Sequence, residues 1–106
     1  MPKYLVQASY TPDGTKGLLK EGGTKRRSLV EQMVSGLGGK LEAFYYAFGD
    51  ADAYVIVEAP DNVAAAAVSL AVNASGAVSL KTTPLLTPEE IDQAAKRSVN
   101  YRPPGQ

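Results

Sequence analysis

Apolar and polar positions alternate with a period of two over Lys3–Tyr10, where Tyr4, Val6, Ala8 and Tyr10 oppose Leu5, Gln7 and Ser9. That period puts successive side chains on opposite faces of a sheet, so the chain begins with a strand. Thr11-Pro12-Asp13-Gly14 punctuates it and opens a helical region, with Leu18 and Leu19 in a short first portion that Gly22-Gly23 weakens. With Thr24 as the expected N-cap of a second portion, Leu29, Val30, Met33, Val34 and Leu37 fall on one helical stripe. Lys25, Arg26, Arg27, Glu31 and Gln32 lie largely outside it, and Gly38-Gly39 ends the helix.

Two strand-like runs follow, Lys40–Phe48 and Ala53–Ala59, joined by the turn Gly49-Asp50-Ala51-Asp52. Under regular alternation Leu41, Ala43, Tyr45 and Ala47 point one way and Phe44, Tyr46 and Phe48 the other, while Tyr54 and Ile56 oppose Val55 and Val57. Both faces of this hairpin are therefore apolar. A sheet with helices on one face and water on the other shows clean alternation, so the second apolar face needs a cover, most simply a second copy of the chain. Phe44, Tyr46, Phe48, Val55 and Val57 are the expected interface residues.

Pro60-Asp61 marks the next helix start, Asp61 serving as N-cap for the Ala-rich stretch Asn62–Asn73, which is small or apolar on almost every side. Ser75-Gly76 ends it. Ala77–Leu86 reads as a fourth strand, placed at a sheet edge because Pro84 has no N–H to give a ladder. Thr87-Pro88-Glu89-Glu90 starts a last short helix, running to about Ser98, through a capping box and a proline at the first helical position. The order strand, helix, strand, strand, helix, strand predicts an α+β, ferredoxin-like βαββαβ fold with a C-terminal helix, its edges being the second and fourth strands. One domain is expected over residues 1–98, with residues 99–106 as a tail. Sheet-to-sheet pairing of two such units gives a dimeric α+β barrel, so the expected partner is the chain itself, as a homodimer or a higher homo-oligomer.

Composition narrows the chemistry. The 106 residues include no His and no Cys, which excludes disulfides, the common zinc sites, histidine-ligated haem and His-dependent nucleophilic catalysis within one chain. No metal and no cofactor are expected, and any acid–base work falls to Asp, Glu, Lys or Tyr. A formal net charge of zero leaves no electrostatic footprint for nucleic acid or an anionic membrane. The uncharged segment Asn62–Leu80 is interrupted by Ser69, Asn73, Ser75, Gly76 and Ser79 and reads as a helix plus the start of a strand, not a membrane span. The opening Met1-Pro2-Lys3-Tyr4 enters a strand at once, and the expected location is the cytoplasm.

Tyr4-Leu5-Val6-Gln7, Gly39–Gly49, Tyr54-Val55-Ile56-Val57-Glu58, Ser75-Gly76-Ala77-Val78 and Leu86-Thr87-Pro88-Glu89-Glu90 together resemble the GYD domain family over roughly residues 3 to 95. The resemblance implies a small bacterial protein of the ferredoxin-like dimeric α+β barrel group, without an established biochemical activity. In the family's signature turn a glycine is followed, after one residue, by tyrosine and aspartate. Gly49 and Asp52 match, and Ala51 stands at the tyrosine position.

Asp50 and Asp52 flank the hairpin turn, where Asp bonds its own backbone. As chemistry they would form a carboxylate pair, with Glu58 or Glu42 brought near, for general-base work or a hard metal. Asp52, Glu58 and Tyr46 are the catalytic candidates. Tyr4, Tyr45 and Asn73 are the candidates for a ligand pocket, and packing is the alternative for each tyrosine. Lys25-Arg26-Arg27 reads as a solvated helix face or an anion site. Three functions fit: a self-assembling protein pairing through its sheet face, a cofactor-independent oxygenase or isomerase with a pocket inside each subunit, or a small-ligand-binding module.

Overall fold

Eight elements follow one another in the computed structural model, which describes Met1–Gln106: β1 (Lys3–Tyr10), α1 (Pro12–Glu21), α2 (Gly23–Gly36), β2 (Lys40–Tyr46), β3 (Ala53–Glu58), α3 (Asn62–Ala74), β4 (Val78–Leu85) and α4 (Pro88–Ala95). The sheet is antiparallel throughout in the order β2-β3-β1-β4, the ferredoxin-like arrangement, with β2 and β4 at the edges.

Local chemistry sets the helix starts. Thr11 Oγ1 accepts the Gly14 N–H at 3.2 Å, Asp61 Oδ1 accepts the Ala64 N–H at 2.9 Å, and Thr87 and Glu90 form the reciprocal capping box. The break at the glycine pair falls two residues earlier than Thr24 capping requires. Gly22, at φ +90°, is both the C-cap of α1 and the N-cap of α2, because a residue without Cβ can hold that backbone where threonine would be strained.

Helices α2 and α3 cover the same sheet face. Tyr4, Val6, Ala8 and Tyr10 of β1, Ala53, Val55 and Val57 of β3, and Val78 and Leu80 of β4 meet Val30, Val34, Val68 and Val72 there. The hairpin departs from regular alternation at a bulge between Leu41 and Ala43: Leu41 pairs with Val57 and Ala43 with Ile56. Glu42 is the extra residue, so two residues face one on the partner strand and the parity of β2 changes. Leu41 therefore shares the helix side with Phe44 and Tyr46, while Ala43 and Tyr45 take the other face. The strand also ends at Tyr46, before Phe48, and the connection spans residues 47–52.

This changes where the hairpin side chains go. Val55 lies in the chain's own core at 6% exposure, Val57 and Phe44 pack against that core, and Tyr46 borders it edge-on to Phe44 with ring centroids 5.0 Å apart. Phe48 projects from the connection, fully exposed. The uncovered face carries instead Ala43, Ile56, Leu5 and Thr83 in one row across the four strands, and Tyr45, Tyr54, Gln7 and Lys81 in the next.

Only nine of the 106 residues are buried, which leaves large apolar side chains uncovered, among them Leu70 on α3 and Tyr45 on β2. Every residue of α4 and of the following tail is exposed. No helix is long and apolar enough to cross a membrane.

Candidate functional site

Helix α2 lies over β2 and α3 over β4, leaving a cleft above the two central strands. Its floor is Tyr4, Val6, Ala8, Val55 and Val57. One wall is Val30, Met33, Val34 and Leu37 of α2, and the other is Ala64, Ala65, Val68 and Val72 of α3. The alanines on α3 keep that wall low, and their small side chains cannot fill the space between the helices. The cavity measures about 80 Å³.

Arg26 and Glu58 are the charged residues lining it. They lie towards opposite ends, Arg26 in the first turn of α2 beside Tyr10 and Glu58 at the end of β3 opposite Lys3 and Lys40. Burial pushes the Tyr10 phenol above its ordinary range; Arg26 beside it works in the other direction, and Asp52 and Glu21 add to the rise. Tyr46 is shifted the same way, again chiefly by burial, and its hydroxyl donates to the Gly23 carbonyl at 2.9 Å. Both phenols keep their protons at neutral pH; Tyr46 donates as described, and the Tyr10 oxygen faces the Arg26 guanidinium, which can only donate.

The catalytic candidates do not converge. Asp52 and Glu58 sit six residues apart along one extended segment, about 20 Å on strand geometry, and no group of three or more Asp or Glu side chains gathers where a metal could be held. Asp52 has a defined structural task. Its Oδ2 accepts the Tyr10 N–H at 2.7 Å, its own N–H donates to the Ala8 carbonyl at 2.8 Å, and its carbonyl accepts the Ala47 N–H at 2.8 Å. The residue clasps the hairpin connection to the end of β1. Asp50, by contrast, is exposed.

The ligand candidates separate as well. The Tyr4 hydroxyl donates to Asn62 Oδ1 at 2.5 Å, tying the sheet to the start of α3. Asn73 Oδ1 accepts the Leu80 N–H at 2.7 Å and joins the end of that helix to β4. Tyr45 is on the uncovered face, 72% exposed. On that face Glu42 pairs with Lys3 at 3.0 Å, a hydrogen bond that raises the lysine above its ordinary range. Sequence reasoning named Arg26 only as one of the run Lys25-Arg26-Arg27, a solvated face or an anion site, and did not set it apart from its neighbours or pair it with Tyr10. The available signal was helical spacing: Arg26 precedes Val30 by four residues and so continues the stripe Val30, Met33, Val34, Leu37 towards the N-terminus.

A family model, the GYD domain, matches residues 4–95. The chain belongs to the GYD domain family. No curated protein and no solved structure matches it. In this GYD domain the aspartate of the signature turn is the clasp just described, and Ala51 at the tyrosine position is itself buried at 4% exposure, so the turn is anchored by a backbone hydrogen bond and a small apolar side chain. Asp52→Asn is expected to retain the melting temperature to within a few degrees, because the amide oxygen still accepts from Tyr10. Asp52→Ala leaves that N–H without its charged acceptor and is expected to cost about 1.5–3 kcal/mol in denaturant unfolding.

Proposed function

We propose that this GYD domain is a self-assembling protein that pairs sheet face to sheet face, as a dimeric α+β barrel. The observation that carries the reading is the uncovered face itself: Leu5, Ala43 and Ile56 form a contiguous apolar row beside Tyr45 and Tyr54, and both packing helices lie on the opposite side. An exposed apolar face of this kind marks an interaction surface, and a second copy is self-complementary to it about a two-fold axis. The pairing residues are thus Leu5, Ala43, Tyr45, Tyr54 and Ile56 in place of Phe44, Val55 and Val57, which serve the subunit's own core, and of Tyr46, which borders it on the helix side. Sedimentation velocity tests this directly. Wild type is expected as a dimer or larger, and Ile56→Asp, which puts a charge in the middle of the row, is expected as a folded monomer. An unchanged sedimentation coefficient for the variant, or a monomeric wild type at micromolar concentration, contradicts the proposal.

The cleft supports a second reading, a binding module for a small apolar molecule. It is concave, walled by apolar side chains and furnished with a few polar groups, the usual make-up of a small-molecule site. The oxygenase or isomerase alternative draws its support from the same cleft, with Tyr10 and Tyr46 as its nearest proton-bearing groups.

A further inference from the structure

Arg26 stands where the α2 stripe calls for an apolar residue. Positions 26, 30, 33, 34 and 37 share one helix face, and all five line the cleft. Its neighbours in sequence behave differently: Lys25 and Arg27 are exposed, and Arg27 pairs with Glu31 at 3.7 Å. Arg26 is half-buried and has no carboxylate within salt-bridge distance, the two ion pairs of the chain being Lys3–Glu42 and Arg27–Glu31. Asp52 and Glu21 lie in the same neighbourhood, but the Asp52 carboxylate is engaged by the Tyr10 N–H. The Tyr10 side chain, beside Arg26, also lines the cleft and contributes an O–H donor. A planar guanidinium and a phenol therefore meet at one end of a mostly apolar cavity, with Glu58 towards the other end.

We propose that the cleft binds a small monocarboxylate with a short or flat apolar body, its carboxylate held by Arg26 and Tyr10 and its body lying between Val30, Val55 and Val68. The proposal rests on the ligand-binding reading of the cleft and names the ligand class. A guanidinium matches a carboxylate with two parallel N–H···O bonds, a geometry that a neutral ligand cannot use. Size sets the other limit: at roughly 10–15 Å³ of accessible space for each water-sized group, a cavity of about 80 Å³ suits a ring or a short branched chain and excludes long acyl chains.

Benzoate and benzyl alcohol, nearly equal in shape and different in charge, separate the possibilities in ligand-observed NMR titrations of the intact protein. Benzoate is expected to bind at least about tenfold more tightly than benzyl alcohol, the margin of a charge-assisted hydrogen bond. Arg26→Gln is expected to erase that margin while leaving benzyl alcohol unchanged, and Arg26→Lys to restore part of it. Ala65→Phe, which fills the cleft from α3, is expected to abolish binding of both. Should this variant be unfolded, benzoate-induced chemical-shift changes at the Val30, Val55 and Val68 methyls of wild type locate the site instead. Equal affinities for the two compounds in wild type overturn the carboxylate inference and leave the cleft as a binding site for neutral molecules. Binding of neither compound, or binding of benzoate that survives in folded Ala65→Phe or shifts none of those methyls, overturns both.

Discussion

Val55→Asp is expected to leave the protein unfolded or close to it at room temperature, with a loss of at least about 4 kcal/mol where folding can be measured at all. Val55 occupies the middle of β3, one of the two central strands, and belongs to the core cluster with Ala8, Leu41, Ala53 and Val78. A carboxylate introduced there is placed among apolar side chains, with Phe44 as its cross-strand neighbour. Since natural domains hold about 5–15 kcal/mol in total, this one change consumes much of the available stability. Its sequence neighbour Ile56 points to the opposite face, and the pair Val55→Asp and Ile56→Asp separates two properties that adjacent residues control: circular dichroism melting reads the first, and sedimentation reads the second. A Val55→Asp protein that melts like wild type would contradict the assignment of faces described here.

Tyr4→Ala is expected to cost about 3–5 kcal/mol, the range for emptying a large buried aromatic site. Tyr4 is 2% exposed, the largest fully buried side chain, and stands at the floor of the cleft. Tyr4→Phe divides the effect. It keeps the ring and removes only the hydroxyl that reaches Asn62, for an expected cost of about 0.5–1.5 kcal/mol. Urea unfolding of the three proteins measures both steps, and a Tyr4→Ala loss no greater than that of Tyr4→Phe would show that ring packing contributes little at this position.

Much of the fold was legible in the sequence because its signals are local. Alternation over Lys3–Tyr10, the glycine pairs, Asp61 before the Ala-rich helix and the Thr87–Glu90 capping box each act within a few residues, and each places an element boundary in the structure to within one to three positions. Face assignment in the hairpin was not legible. Alternation carries parity along a strand only while the ladder is regular, and nothing in Leu41-Glu42-Ala43 marks Glu42 as the residue that breaks it. The site was obscured for a related reason. Asp52 and Tyr10 are 42 residues apart and meet only because β1 lies beside β3, so the clasp between them is a product of topology. Arg26 was hidden by its company: between Lys25 and Arg27 it reads as one member of a charged run, and only the helical phase set by Val30 separates it from them.

The two margins of the sheet bear on the size of any assembly. On β2 the bulge at Glu42 breaks the regular spacing of backbone groups, and on β4 Pro84 offers no N–H, while Lys40 and Lys81 add charge to the same two strands. A foreign strand arriving at either margin finds an irregular and charged template, and natural sheets use such features against open-ended polymerisation. The apolar surface that calls for company is thus confined to a face, where contact between two copies saturates it, and growth in the direction of the hydrogen bonds, the direction of a fibril, is discouraged at both ends.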